Sequence, residues 1–168
     1  MLQKLEGEYL MMIRYANEND LLAWCTLATE VSPIFRHPGD MGADMEFISY
    51  AKSKVNKHET LTAVDPVSGV NMGFIGFSKT HNRISWFGVF EAYRGKGVGG
   101  GLLKAALCEL DREKPISVET YPEGYAPGVP AKKLYRKFGF VETESDLTSP
   151  HGLPVCKMMA DLSAKNMG

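Results

Sequence analysis

Residues 89–101 read V-F-E-A-Y-R-G-K-G-V-G-G-G and join a predicted strand to a predicted helix. Each glycine inside a helix costs about 1 kcal/mol relative to alanine, so three of them in the first turns require a compensating gain. Backbone N–H groups at a helix N-terminus can bind an anion, and glycine lets a ligand approach the backbone closely. Arg94 and Lys96 add positive charge at the same place. The segment therefore predicts a phosphate-binding turn, and the alternative is tight packing of the helix on the sheet with both charges solvated.

The residues on both sides of this turn predict the order of the other elements. Strands are predicted at 8–15, 60–64, 70–78, 83–90, 115–120, 140–145 and 155–162, and helices at 17–30, 41–57, 98–114 and 131–138. The connections between the three strands from 60 to 90 contain turn-forming residues at hairpin length, which favours an antiparallel meander. The sequence therefore predicts a mixed α/β fold, in which about four helices flank a central, mostly antiparallel sheet of about seven strands.

Length and composition predict one globular domain. A chain of 168 residues is too short for two well-cored domains, and 44% hydrophobic with 23% charged residues is ordinary for a folded protein. We expect a single domain over 1–168, with its core at about 8–162. Nineteen Lys and Arg against 20 Asp and Glu give a net charge of −1, so no general basic surface for nucleic acid or an anionic membrane is expected.

The cysteines and histidines predict neither a disulfide framework nor a metal site. The three cysteines have no C-x-x-C spacing, and the four histidines form no ligand-spaced pair. The apolar run at 9–13 is far shorter than the hydrophobic region of a signal peptide, and no stretch approaches the roughly 20 apolar residues of a membrane span. A cytoplasmic protein is expected.

One interpretation of the glycines is a dinucleotide-binding turn. Gly95, Gly97 and Gly100 spell G-x-G-x-x-G, and Glu119 ends the next strand about twenty residues on. However, four residues separate the strand from the glycines, an antiparallel meander precedes them, and only about fifty residues follow Glu119. A nucleotide-dependent oxidoreductase is therefore disfavoured.

The same residues also spell R-x-x-G-x-G, as Arg94, Gly97 and Gly99. Residues 85–103, S-W-F-G-V-F-E-A-Y-R-G-K-G-V-G-G-G-L-L, resemble the acetyl-CoA signature of the GNAT superfamily of N-acetyltransferases. Residues 131–140, A-K-K-L-Y-R-K-F-G-F, are similar to the A-x-x-L-Y-x-K-x-G-F helix of that superfamily. The resemblance implies an acyltransferase that moves the acetyl group of acetyl-CoA to an amine by direct attack in a ternary complex. A non-catalytic acyl-CoA-binding or sensor module with the same fold is the alternative.

The resemblance also implies which residues hold the coenzyme. In similar proteins the strand before the glycines pairs its backbone with the pantetheine arm, which maps onto Phe87 and Val89, and the Val89 amide would polarise the thioester carbonyl. The pyrophosphate would lie on the turn formed by Arg94, Gly95, Lys96, Gly97, Val98, Gly99 and Gly100. Two positions depart from the family: Glu91 stands where proline is frequent, and Gly128 stands where asparagine is frequent. The second departure removes one expected polar contact to the coenzyme.

Two residues are candidates for proton transfer. The resemblance implies that Tyr135 protonates the departing thiolate, although Tyr135 also lies on the apolar stripe of its helix and packing alone is the alternative. A lysine-like acceptor with a pKa of about 10.4 needs a base or a water relay, whereas an α-amine with a pKa of about 7.8 hardly does. The strand at 83–90 contains no carboxylate, so Glu119 is the best base candidate, with a strand-end carboxylate of no role as the alternative. Asp44 and Glu46 are weaker candidates.

The acceptor, a small-molecule or peptide amine, is expected between the first two helices and the loop after the fifth strand. Its candidate lining residues, chosen by position, are Phe35, Arg36, His37 and Tyr125. The last helix carries a basic run of Lys132, Lys133, Arg136 and Lys137. We expect this run to be a solvated face, with assistance to the coenzyme phosphates as the alternative. Proteins of the family are often dimers, so a homodimer is also implied.

Overall fold

A computed structural model describes residues 2–4 and 10–163 of the chain. The strands are β1 (Leu2–Lys4), β2 (Leu10–Tyr15), β3 (Thr60–Val64), β4 (Asn71–Ser78), β5 (Arg83–Val89), β6 (Ile116–Thr120), β7 (Val141–Thr148) and β8 (Pro154–Ala160). The helices are α1 (Leu21–Val31), α2 (Met45–Asn56), α3 (Val98–Glu109) and α4 (Val129–Lys137). Single 3₁₀ turns lie at Glu18–Asp20, Met41–Ala43, Glu91–Tyr93 and Ala126–Gly128.

The predicted mixed α/β fold with seven strands and four helices is confirmed, with differences at the ends of elements. The three-residue strand β1 is additional, because so short a segment carries no readable periodicity. Residues 8 and 9 of the first predicted strand lie outside the described residues. The first two predicted helices each begin with a 3₁₀ turn, and α3 ends at Glu109 rather than before Pro115.

Capping residues explain where the first helical segment begins and where α4 ends. Asn17 caps the 3₁₀ turn before α1: its side chain accepts from the Asn19 amide, while the Asp20 side chain accepts from the Asn17 amide. Gly139 follows α4 with a φ of +93°, a left-handed conformation that favours glycine.

The chain divides into two compact units. The first comprises Met1–Phe77 and Trp86–Ala106, and the second comprises Ser78–Ser85 and Leu107–Gly168. Strands of the first unit follow the order β1-β2-β3-β4-β5, and strands of the second follow β5-β6-β8-β7, so β5 contributes residues to both. The prediction of a single domain stays a prediction.

The first unit contains antiparallel pairs and an aromatic core. β2 pairs with β3 in the register Ile13↔Ala63, and both β1 and β4 also pair antiparallel with their neighbours in this part of the sheet. Trp24 of α1 stacks on Phe74 of β4, with ring centroids 5.2 Å apart and an interplanar angle of 1°. Phe47 of α2 meets the same indole edge-on at 5.8 Å. These rings belong to the hydrophobic core of this unit, together with Trp86 and aliphatic side chains of α1 and α2.

The second unit contains the parallel pair that makes the sheet mixed. β5 pairs with β6 in parallel at Arg83↔Ser117 and Ile84↔Val118, the first two residues of β5. β8 pairs antiparallel with both β6 and β7. The fully or nearly buried apolar residues of the second unit include Ile116, Val118, Tyr135, Phe140, Met158 and Ala160. Among the described residues, no helix has the length and hydrophobicity needed to cross a membrane.

Candidate functional site

The end of β5 presents a backbone edge directed away from β4. The amide of Phe90, immediately after the strand, donates to the Met72 carbonyl at 3.0 Å. Successive peptide groups of an extended strand alternate in direction, so the Val89 amide points to the opposite edge. This is the edge along which the resemblance to the GNAT superfamily implies that the pantetheine arm pairs.

A 3₁₀ turn connects this strand to the glycines. The Tyr93 amide donates to the Phe90 carbonyl at 2.9 Å, and the Arg94 amide donates to the Glu91 carbonyl at 3.2 Å. The Arg94 side chain folds back, with Nε donating to the Val89 carbonyl at 3.1 Å. The arginine therefore fixes the start of the glycine segment to the end of β5.

Two glycines of the segment are required by backbone conformation. Gly95 and Gly97 have φ values of +74° and +88°, which residues with a side chain rarely adopt. A Cβ at either position would meet no atom within 4 Å, so tight packing is not the reason for glycine at these two positions. Positive φ in a turn directs successive amides toward one side, an arrangement that binds anions.

The beginning of α3 adds further amides to this turn. α3 starts at Val98, and the Gly101 amide donates to the Gly97 carbonyl at 3.1 Å. The amides of residues 98–100 precede that bond and lie in the first turn, where helix amides lack intrahelical acceptors. Lys96 places its ammonium 5.9 Å from the centroid of the Tyr93 ring, within the range of a cation–π contact. The turn thus combines amides and cations, and fits a pyrophosphate.

Glycines also permit close approach of the elements that carry this turn. A Cβ at Gly73 of β4 would lie 2.9 Å from the Gly88 carbonyl oxygen and 3.0 Å from Cδ1 of Leu102 in α3. Both distances are shorter than real Cβ contacts normally are. Gly73 therefore allows β4, β5 and α3 to converge below the turn, a role that sequence reasoning did not assign to it.

A second contact missed by sequence reasoning comes from α1. The Glu91 amide donates to Oε2 of Glu30 at 2.9 Å, although the two residues are 61 positions apart. No local pattern in the sequence marks such a long-range side chain to backbone bond.

Tyr135 is buried in the second unit on α4. Its ring centroid lies 5.5 Å from that of Phe140. Burial, with a smaller contribution from Tyr121, raises the pKa of Tyr135, so the phenol keeps its proton well above neutral pH. The predicted place on the apolar stripe is confirmed, and the role in proton transfer stays a prediction.

The other proton-transfer candidates lie in different settings. Glu119 is exposed on β6, where its register partner is Lys157 of β8. Asp44 caps α2 by accepting from the Glu46 amide at 2.9 Å, and it also bonds Nε2 of His37 at 2.8 Å. These two bonds give Asp44 a structural role.

The candidate acceptor residues do not lie in one unit. In the first unit the ring centroid of Phe35 lies 5.2 Å from that of Trp86. The Gly39 amide donates to Nδ1 of His37 at 3.0 Å. The hydrogen bond to Asp44 raises the pKa of His37. Arg36, in the connection between α1 and α2, has a left-handed φ of +59°. Tyr125 is in the second unit, with its ring 5.2 Å from Tyr121.

The basic run on α4 is not uniformly solvated, which corrects the expectation for Lys132. Its side chain is 4% exposed, with Nζ 3.0 Å from Oε2 of Glu123 and 3.4 Å from Oε1 of Glu142. Burial alone would lower the pKa of Lys132, but the bond to Glu123 and the two negative charges outweigh it and raise the pKa. Arg136 also lies 3.6 Å from Glu123. The other two members, Lys133 and Lys137, are exposed as expected.

Comparison with known proteins identifies the family. The family model described as an acetyltransferase (GNAT) domain matches residues 56–142, just over half of the chain. The chain therefore belongs to the GNAT acetyltransferases. No curated protein sequence matches it significantly.

Solved structures share the fold at low identity. yncA of Salmonella typhimurium, whose structure contains its cofactor acetyl-CoA, has a TM-score of 0.69 and 17% identity, over 92% of this chain and 95% of that chain. An N-acetyltransferase from Staphylococcus aureus Mu50 has a TM-score of 0.67 and 18% identity, over 91% and 99%. The NatC complex bound to Gag peptide and CoA has a TM-score of 0.67 and 20% identity, over 91% of this chain and 99% of that chain. Among the described residues, no group of three His, Cys, Asp or Glu side chains could hold a metal ion.

Proposed function

We propose that this protein is an N-acetyltransferase that moves the acetyl group of acetyl-CoA to an amine. The observation that carries the proposal is the turn from Arg94 to the start of α3, with its two left-handed glycines, helix-terminal amides and adjacent cations. A phosphate bound there would replace water on amides that the helix leaves without internal acceptors.

The turn supplies the proposed cofactor-binding residues. The pyrophosphate lies on the amides of residues 95–100, beside the charges of Arg94 and Lys96. The backbone of Phe87 and Val89 pairs with the pantetheine arm along the edge of β5 that faces away from β4. These assignments rest on the direction of the Phe90 amide and on the positive φ values of the turn.

The proposed reaction is direct attack without a covalent enzyme intermediate. The lone pair of the acceptor nitrogen attacks the thioester carbonyl carbon, and the Val89 amide stabilises the charge that develops on the carbonyl oxygen. The C–N bond forms, the C–S bond breaks, and the departing thiolate takes a proton from Tyr135. The proton lost by the amine goes to Glu119, or to solvent when the acceptor is an α-amine with a pKa of about 7.8.

The acceptor class we propose is a small-molecule or peptide amine. A peptide is a reasonable member of that class because a structural relative, the NatC complex, has been solved with a Gag peptide. We also propose a single domain over 1–168. We further propose a cytoplasmic location, since the thiols of Cys25, Cys108 and Cys156 are free and thiols stay reduced in that compartment. Homodimer formation stays a prediction that sedimentation equilibrium would test.

A second candidate function is a non-catalytic acyl-CoA sensor of the same fold. The observation that favours it is the sequence of β5, R-I-S-W-F-G-V, which places no carboxylate beside the expected thioester. Binding of acetyl-CoA without acetylation of any amine would support this second function.

Thermal unfolding with separate ligands tests the proposal first. Acetyl-CoA at a hundred times its dissociation constant should add about 2.7 kcal/mol to the free energy of unfolding and raise Tm by several degrees. Desulfo-CoA should give a comparable shift, whereas NAD and ATP should give none. Turnover with a panel of peptide α-amines and lysine-like amines then separates enzyme from sensor. A shift with NAD but not with acetyl-CoA would overturn the assignment of the glycine turn.

A further inference from the structure

The turn that precedes the glycines is capped by a side chain from another helix. Phe90 is the N-cap of the 3₁₀ turn Glu91–Tyr93 and makes no side-chain capping bond, since its side chain has no acceptor. The first amides of a helical turn lack partners within the turn. The Glu91 amide instead donates to Oε2 of Glu30, in the last turn of α1, at 2.9 Å. A bond from an amide to a carboxylate is charge-assisted and stronger than a neutral one.

The capped turn connects β5 directly to the cofactor-binding segment that begins at Arg94. On its N-terminal side the Phe90 amide is fixed to the Met72 carbonyl, and on its C-terminal side the Glu91 carbonyl accepts from the Arg94 amide at 3.2 Å. A shift of Glu91 would therefore move Arg94 and the left-handed Gly95 that follows it.

We propose that Glu30 is a positioning residue for the cofactor-binding turn. Its carboxylate holds the Glu91 amide, and this bond keeps the turn of residues 91–93 in the orientation that presents Arg94 and the glycine amides to the pyrophosphate. The proposal rests on the proposed function, because the cofactor it concerns is acetyl-CoA. Glu30 acts through the backbone of Glu91 and does not itself contact the reacting atoms.

The local backbone offers a specific rescue variant. Proline has no amide hydrogen and is well accepted at the first position of a helical turn, which Glu91 occupies. Phe90 has φ −56° and ψ 139°, the extended conformation that a residue before proline adopts. Glu91→Pro should therefore fix the turn covalently and remove the need for Glu30.

The experiment compares Glu30→Ala, Glu30→Gln, Glu91→Pro and the double variant of Glu30→Ala with Glu91→Pro. Calorimetric titration with acetyl-CoA and steady-state kinetics provide Kd, KM and kcat. Glu30→Ala should raise Kd and KM about fivefold, which corresponds to about 1 kcal/mol, with kcat nearly unchanged. Glu30→Gln keeps an oxygen acceptor and should stay within about twofold of the wild type. In the Glu91→Pro background, Glu30→Ala should have no further effect.

Hydrogen exchange of the ligand-free protein tests the contact itself. Amides 91–95 should exchange about fivefold faster in Glu30→Ala than in the wild type, consistent with the loss of about 1 kcal/mol of local stability. Glu113→Ala, an exposed change of the same charge in the connection between α3 and β6, is the control and should leave exchange and Kd unchanged.

Two results would overturn the proposal. One is unchanged Kd and exchange in Glu30→Ala, and the other is a fivefold loss of affinity that persists in the Glu91→Pro background. If the wild-type protein binds no acetyl-CoA, the proposed function fails, whereas the exchange of amides 91–95 still decides whether Glu30 holds the turn.

Discussion

Tyr121 occupies the space that a side chain at Gly128 would need. A Cβ at Gly128 would lie 2.5 Å from both Cβ and Cγ of Tyr121, atoms too close to the main chain to move aside. Gly128 is buried and is the last residue of the 3₁₀ turn before α4. This contact explains why an asparagine, frequent in the family at this position, does not fit here.

We expect Gly128→Ala to lower the free energy of unfolding by about 1–3 kcal/mol because it overpacks the site against Tyr121. The same substitution should cost much less in a Tyr121→Gly background, which urea unfolding of the four proteins of this cycle would measure. Gly39→Ala is the control, since a Cβ there meets nothing within 4 Å and φ is not positive. Equal costs in both backgrounds would contradict the assigned contact.

A second prediction concerns the left-handed glycines. Gly97→Ala should cost about 1–2 kcal/mol of stability through backbone strain and should also weaken acetyl-CoA binding. Gly69→Ala is a matched control: its φ is +75°, its Cβ would also meet nothing within 4 Å, and it lies in the turn between β3 and β4. Both variants should lose stability, but only Gly97→Ala should raise the Kd for acetyl-CoA. Equal affinity in the two variants would argue against the turn as a phosphate site.

Tyr135→Phe should leave the fold intact and lower kcat by about 10²-fold or more if the phenol donates a proton to the thiolate. Because burial raises the pKa of Tyr135, its ionisation should not limit activity at pH values near 10.0, the ordinary value for tyrosine. A pH profile of kcat from 7 to 10.5 for both proteins checks this, with Tyr15→Phe, at an exposed tyrosine of β2, as control. An unchanged kcat would leave Tyr135 a packing residue only.

A fourth prediction follows from the network around Asp20 in the first unit. Burial alone would raise the pKa of Asp20, but hydrogen bonds from Arg14, the Asn17 amide and Asn71 outweigh it and lower the pKa below 3.8. A lowered pKa means that the stabilisation is fully present above pH 3.8 and is lost as the pH falls through the folded-state value.

The matching variant is Asp20→Asn. Its loss of stability relative to the wild type, measured by urea unfolding, should be constant from pH 7 to about 5 and shrink below pH 3.8. Arg14 contributes through a bidentate contact of 2.7 and 3.0 Å, so Arg14→Lys should reproduce part of the loss. A difference that is independent of pH would show that the charge of Asp20 does not contribute.

The last prediction separates the members of the basic run on α4. Lys132→Ala should destabilise the fold, because it leaves Glu123 and Glu142 without the cation they share, and should not change affinity for acetyl-CoA. Since the pKa of Lys132 is raised, this stabilisation is present below pH 10.5 and is lost as the pH rises through the folded-state value. The exposed Lys133→Ala is the control and should leave stability unchanged. A loss of acetyl-CoA affinity that occurs in Lys133→Ala but not in Lys132→Ala, and that is larger at low salt than at high salt, would assign Lys133 to the coenzyme phosphates.

Local sequence patterns predicted the elements well where their chemistry is local. The helix start at Asn17 depends on a capping box within four residues, and the end of α4 depends on one left-handed glycine, Gly139. β3 was predicted with its observed bounds, because the strand-like run T-L-T-A-V is followed at once by the turn-forming residues D-P-V-S-G. The least accurate boundary was the end of α3, where Asn82, far away in the sequence, bonds both the amide and the carbonyl of Asp111.

The amino-acid sequence by itself determined the order of elements, the family and the position of the glycine turn, because periodicity, caps and positive-φ glycines act within a few residues of one another. Only the tertiary structure decided which residues of separate elements contact one another. It brought Glu30 to the Glu91 amide, Tyr121 against Gly128, and two carboxylates around Lys132. Each of these contacts joins separate elements, so its existence depends on how the chain packs, and no local spacing encodes it.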